Sequence, residues 1–253
     1  MTDTERQFKR FFIAGGYGLV LIICIAVLVF VFAPAENPFP GPQGPDTEPL
    51  QVKRTKMLSL SEDTRDLVAE VKNPNDRYGI RKLTYAFVLE NDEETRKVRG
   101  KSYILPGETR FFTELNVSVD SSYSLRTFEI ETQDTWKQLE VNPPTLVVQN
   151  QRQGQNKDNN RYGVRGEIVN RSPYDLDTVT VTIALEGKDG NIVGVNNTQM
   201  SILQNDETRE FQVQWPSSVS FSNIERTRIR PSANALDPDT VLYITEENED
   251  QFQ

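Results

Sequence analysis

Histidine is absent from this 253-residue chain, and cysteine occurs once, at Cys24. A Ser-His-Asp hydrolase triad or a common zinc cage therefore lacks its usual parts everywhere outside the segment around Cys24. That segment is apolar throughout, so no disulfide can form in the rest of the chain. Ile22 and Ile23 precede Cys24 where lipoprotein processing needs small residues, and the cysteine reads as a small apolar side chain in lipid. Positive charge is also scarce. With Lys+Arg 28 against Asp+Glu 37 the net charge is −9, too little concentrated cation to hold a phosphate backbone, which excludes nucleic acid as a partner. No glycine-rich phosphate loop occurs, and the Asp189-Gly190-Asn191 turn lacks the further oxygen ligands of a calcium loop. No cofactor and no metal is expected.

Long hydrophobic runs are missing as well, with one exception. FFIAGGYGLVLIICIAVLVFVFA, residues 11–33, carries no charge. At about 1.5 Å per residue it is roughly 35 Å long as a helix, enough to cross a hydrocarbon core. It reads as a single transmembrane helix. Ala33-Pro34-Ala35 imitates a signal-peptide cleavage site, but secretory apolar regions are about 7 to 15 residues, shorter than this one. Arg6, Lys9 and Arg10 precede the run, whereas the first basic residues after it are Lys53 and Arg54. The positive-inside rule then keeps residues 1–10 in the cytoplasm and places everything from residue 34 onward outside the cytoplasmic membrane. Residues 34–50 hold Pro34, Pro38, Pro40, Pro42, Pro45 and Pro49, and predict an extended stalk of about 50 Å at most.

Beyond the stalk the apolar period is two. Leu83, Tyr85, Phe87 and Leu89 share one strand face, and Val179, Val181, Ile183 and Leu185 another. These are matching strands of an internal repeat. Ala69-Glu70-Val71-Lys72-Asn73 corresponds to Gly166-Glu167-Ile168-Val169-Asn170, and Gly107-Glu108-Thr109-Arg110 to Asp206-Glu207-Thr208-Arg209. The latter pair reads as equivalent hairpin turns. Phe111, Phe112, Leu115 and Val117 do not hold one parity, which predicts a bulge in that strand. Each copy offers six or seven short strands and no helical stretch. The expected fold class is all-β, two tandem antiparallel β-sandwiches after one N-terminal transmembrane helix. The expected boundaries are 51–141 for the first, 142–144 for a linker around Pro143-Pro144, 145–231 for the second, and 232–253 for an acidic tail.

The order of strand, Asn-containing turn, apolar strand and Gly-Glu-Thr turn, with Phe87-x-Leu89, resembles the FxLYD group of Ig-like sandwiches, related to the late-embryogenesis-abundant type 2 fold. Glu90 and Asn91 stand where that name has Tyr and Asp, and the second copy has Ile183-x-Leu185. The chain also resembles single-pass envelope proteins of small uncultured bacteria through ILPGET (Ile104 to Thr109) and VNRSP (Val169 to Pro173). Those relatives often carry a cysteine-rich segment where this chain has its proline stalk. The resemblance implies a fold and a location, with no activity.

For chemistry, only carboxylates remain. Glu70 with Glu167 and Glu108 with Glu207 are repeat equivalents, and a glycosidase-like pair would have to face across a cleft; solvated strand ends explain them more simply. Arg226, Arg228 and Arg230 alternate along a late strand. They form a candidate partner-binding ridge for an anionic wall polymer or lipid head group, or else a charged edge that blocks sheet-to-sheet aggregation. The expected function is that of a non-enzymatic, membrane-anchored structural or interaction protein, with an envelope protein or polymer as partner. A lipid-handling domain and a carboxylate-only enzyme are the alternatives.

Overall fold

The computed structural model describes residues 46–156, 158–216 and 224–244. The predicted anchor, most of the stalk and residues 245–253 lie outside them. Among the described residues no helix is long and apolar enough to cross a membrane. All the described strands belong to one compact unit, Thr47–Gln253.

Strand follows strand as the period-two pattern requires. The first repeat contains β1 (Gln51–Ser59), β2 (Thr64–Lys72), β3 (Tyr78–Glu90), β4 (Thr95–Ile104), β5 (Thr109–Ser118), β6 (Ser124–Gln133) and β7 (Lys137–Gln138). The second contains β8 (Leu146–Gln155), β9 (Tyr162–Asn170), β10 (Tyr174–Gly187), β11 (Ile192–Leu203), β12 (Thr208–Gln214), β13 (Ile224–Ser232) and β14 (Val241–Ile244). The structure is all-β, with antiparallel sheets ordered β1-β2-β5 and β4-β3-β6 in one repeat and β8-β9-β12 and β11-β10-β13 in the other. β7 adds to β3, and β14 to β10.

Each pair of sheets closes on a core built from the alternating positions. Leu83, Tyr85, Phe87 and Leu89 of β3 pack with Leu67, Val71 and Phe112 of the facing sheet. Val179, Val181, Ile183 and Leu185 of β10 pack with Ile168, Phe211 and Trp215. Burial of each such side chain contributes about 1.5–3 kcal/mol. The predicted bulge lies in β5, where Arg65 pairs with Val117 but Leu67 with Glu114. Asn116 absorbs it at φ 55, and its N–H donates to Asp66 Oδ1 at 2.8 Å. Burial raises that aspartate above its ordinary range.

Two expectations are corrected. The Gly107-Glu108-Thr109-Arg110 and Asp206-Glu207-Thr208-Arg209 turns are not hairpins: β4 pairs with β3 and β5 with β2, β11 with β10 and β12 with β9, so each turn carries the chain from one sheet to the other. The two corners are nonetheless built alike. Gly107 and Asp206 take positive φ, 65 and 57. The Leu105 N–H donates to Glu108 Oε2 at 2.8 Å and the Gln204 N–H to Glu207 Oε2 at 2.9 Å. Asn73 and Asn170, both buried, brace the corners from the preceding crossover. Asn73 donates to the carbonyls of Tyr78 (2.7 Å) and Leu105 (2.8 Å), and Asn170 to those of Tyr174 (2.9 Å) and Leu203 (3.0 Å). Secondly, the acidic tail does not begin at residue 232. Ala233, Ala235 and Leu236 are buried, a 3₁₀ turn at Pro238–Thr240 follows, and β14 then returns to β10, because SANAL supplies small apolar side chains that can enter a core.

Candidate functional site

The outward faces of the two repeats differ, and the difference makes one of them a junction and the other an open surface. On the first repeat the outward face of β1-β2-β5 presents Leu58, Val68 and Phe111, with Leu115 beside them; they pack on Ala184, Ile192 and Val195 of the second repeat. Alternation alone does not mark these positions, since they are the strand faces that an isolated sandwich would leave in water.

An ionic cluster closes this junction. Arg54 Nε donates to Glu70 Oε2 at 2.5 Å, and another of its nitrogens to Glu186. Arg228 Nη1 donates to Glu70 Oε1 at 2.8 Å, and its Nε lies 3.0 Å from Glu186 Oε1. The two glutamate side chains are only 8% and 5% exposed. Two guanidinium and two carboxylate groups thus neutralise one another, which is the condition for burying any of them. Desolvation would lower the Arg54 guanidinium, but Glu186 and Glu70 together hold it above its ordinary value. Arg54 also donates to the Gly190 carbonyl at 2.5 Å.

A second contact uses the sheet-to-sheet corner itself. The Ser232 hydroxyl accepts from Arg110 Nη1 at 2.6 Å, donates to Glu108 Oε1 at 3.0 Å and lies 2.9 Å from the Tyr103 hydroxyl. The Arg110 guanidinium carbon stands 3.8 Å from the Tyr103 ring centre, a cation–π contact. Gly79 makes room for the chain after β13: a Cβ there would come within 2.7 Å of Leu236 Cδ1 and 2.6 Å of the Ile104 carbonyl oxygen. Among the described residues, the corresponding corner of the second repeat makes its hydrogen bonds within its own repeat, Arg209 donating to Glu207 and to the Ile202 carbonyl at 2.8 Å.

The outward face of β8-β9-β12 is the counterpart of the junction face. By register Gln149, Glu167 and Glu210 form one row across it, and Arg152, Arg165 and Gln212 the next. All but the half-buried Glu167 are exposed. A concavity of about 320 Å³ is lined by Arg152, Arg161 and Arg165 with the amides of Gln155, Gln212 and Gln214. Another of about 580 Å³ shares Arg152, Arg165 and Gln212 and reaches Glu167 and Glu210. Among the described residues these three guanidinium groups have no acidic partner, whereas Arg54, Arg99, Arg110, Arg171, Arg209 and Arg228 each have one.

The expected ridge is divided by this arrangement. Arg226, Arg228 and Arg230 pair in register with Glu186, Ala184 and Thr182, but Arg228 is taken up by the ionic cluster while Arg226 and Arg230 stay exposed. The carboxylates sort differently from their repeat equivalence. Glu70 shares its two arginines with Glu186, Glu167 accepts from Gln149 and Asn150, and Glu108 holds Ser232 while Glu207 holds Gln204 and Arg209. Among the described residues no group of three or more acidic, His or Cys side chains is placed to hold a metal. Arg152, Arg161 and Arg165 did not stand out in the sequence by motif. The signal was there in the aligned copies, where Arg165 replaces Val68.

Neither a protein-family model nor a curated protein matches the chain. Among solved structures it is similar to Bacteroides uniformis beta-glucuronidase 2, covalently bound to cyclophellitol-6-carboxylate aziridine, at 13% identity and a TM-score of 0.20, over 69% of this chain and 22% of that one. The chain spans about a fifth of that enzyme's length, and a likeness of this degree carries no argument about activity.

Proposed function

We propose that this chain is a membrane-anchored interaction protein of the cell envelope, held by residues 11–33 with its N-terminus in the cytoplasm. Two Ig-like, FxLYD-like sandwiches stand outside on the proline stalk. The three-plus-four strand order of each repeat supports the Ig-like reading, and the charge asymmetry around the apolar run supports the topology. One observation carries the functional reading: the repeats share a buried junction of apolar and ion-paired side chains, so the polar face of the second repeat is held in a fixed orientation to the first. The short, stiff Pro143-Pro144 linker already limits motion between the repeats, and the junction adds buried contacts to it. A rigid pair presenting one open, hydrogen-bonding face is the construction of a binding module.

The test is crosslinking in native membranes followed by identification of the attached macromolecules. Recovery of an envelope protein or polymer is expected. A chain that stays unpartnered there, while its purified form moves lipid between vesicles, would transfer the assignment to lipid handling. For the topology, protease added to intact spheroplasts should remove the β-repeats, and their full protection would reverse it.

A further inference from the structure

We propose that the open face of β8-β9-β12 binds an acidic glycan, one whose sugars carry carboxylates, with Arg152, Arg161 and Arg165 taking the carboxylates and Gln155, Gln212 and Gln214 the hydroxyls. This rests on the interaction reading above and names its ligand class. The chain is acidic as a whole, at −9. Among the described residues that form no ion pair, three arginines converge on one concavity of about 320 Å³. A guanidinium group offers a planar fork of donors that matches a carboxylate bidentately. The Gln212 and Gln214 amides between them present both donors and acceptors, and Gln155, whose nitrogen donates to Asn160 Oδ1 at 2.6 Å, presents its oxygen; a ring bearing hydroxyls requires both, and a bare polyanion does not use the acceptors.

The surroundings discriminate among other anions. Glu167 and Glu210 flank the site and repel a phosphate chain, with its closely spaced charges, more than a sparsely charged glycan. No exposed aromatic ring lines either concavity, since Phe211 is buried, so there is no platform for stacking nucleic acid bases. The lining likewise lacks the exposed aromatic anchors that dominate protein–protein affinity and the apolar surface that a lipid chain needs. Gly154 and Gly163, paired across β8 and β9, leave one end of the face without side chains and let a chain lie close to the strands.

The test uses the full chain in nanodiscs of neutral lipid, with polygalacturonate oligomers, dextran and inorganic polyphosphate as probes. Polygalacturonate should bind with an affinity that falls as salt rises, and dextran should not bind. Arg152→Gln combined with Arg165→Gln should weaken polygalacturonate at least tenfold with an unchanged circular dichroism spectrum and melting temperature. Arg126→Gln, on the other repeat, should leave binding unchanged. No polygalacturonate binding, an effect of the double variant below twofold, or polyphosphate bound as tightly as the glycan would each overturn the assignment. If crosslinking still recovers an envelope partner in that event, the interaction reading stands and only the glycan is lost.

Discussion

Two faces built from the same unit of sequence meet different fates in this molecule. On the first repeat, Val68 and Phe111 lie where the second has Arg165 and Glu210, as the registers β2 with β5 and β9 with β12 show. Val68 and Phe111 are 0% and 5% exposed because a neighbouring repeat covers them; Arg165 and Glu210 face water. The other pair of sheets shows the reverse. Val195 of β11, which is buried in the junction, corresponds to Lys97 of β4. Lys97 is 2.7 Å from Glu129 and Arg99 is 2.8 Å from Glu131, a charged cover over β3. The two-repeat array is thus sticky only at its internal junction and polar at both ends, as capped repeat arrays must be. Inward alternation folds each repeat, and the outward residues decide what it touches.

The largest effect should come from giving the first repeat the second repeat's face. Val68→Arg with Phe111→Glu takes two ions out of water into an apolar junction and should cost about 4 kcal/mol or more, because desolvation exceeds what their mutual attraction returns. The repeats can avoid that cost only by separating, so a single cooperative urea transition should split into two. One unchanged transition would mean that the junction contributes little.

Next come the features that the repeats share. Asn73→Ala and Asn170→Ala each strand two buried carbonyls, and each should cost about 3 kcal/mol in the midpoint-derived stability. A large inequality between them would show that the two corners are not equivalent. The converse exchange, Arg165→Val with Glu210→Phe, should turn the open face into a sticky one. About 2 kcal/mol of new apolar attraction should appear as concentration-dependent self-association in analytical ultracentrifugation, and a strictly monomeric variant would contradict the role assigned to these residues.

The smallest effect concerns Glu207. Partial burial would raise its carboxyl, but the Gln204 N–H and the Arg209 guanidinium outweigh this and hold it below the usual range. Its stabilisation is therefore present above the unfolded carboxylate value, near 4.5, and is lost as pH falls through the lower folded value. Glu207→Gln should destabilise by about 0.5 kcal/mol at neutral pH, solvent screening included. The gap from the parent should close in acid; a gap independent of pH would refute the charge assignment.

How far the fold was legible follows from what each pattern physically encodes. Period-two alternation marks which side of a strand faces a core, and β3 and β10 were readable from it residue by residue. Asn73, Asn170 and the Glu-Thr-Arg turns recur because backbone groups at a sheet-to-sheet crossing need side-chain partners, so their equivalence was visible from the repeat alone. Alternation does not say which strand is the neighbour, so it does not distinguish a hairpin from a sheet-to-sheet corner. Nor can it reveal that Glu70 meets Arg228, a partner 158 positions away, or that Ser232 closes on Glu108 and Arg110. Those contacts exist only once one sheet face lies on another. The strands, the repeat and the braced corners follow from the order of residues, because these depend on local hydrogen bonding and side-chain parity. Which face became a junction and which stayed open with three unpaired arginines was decided by tertiary packing, because burial of an outward face depends on what the rest of the chain brings against it.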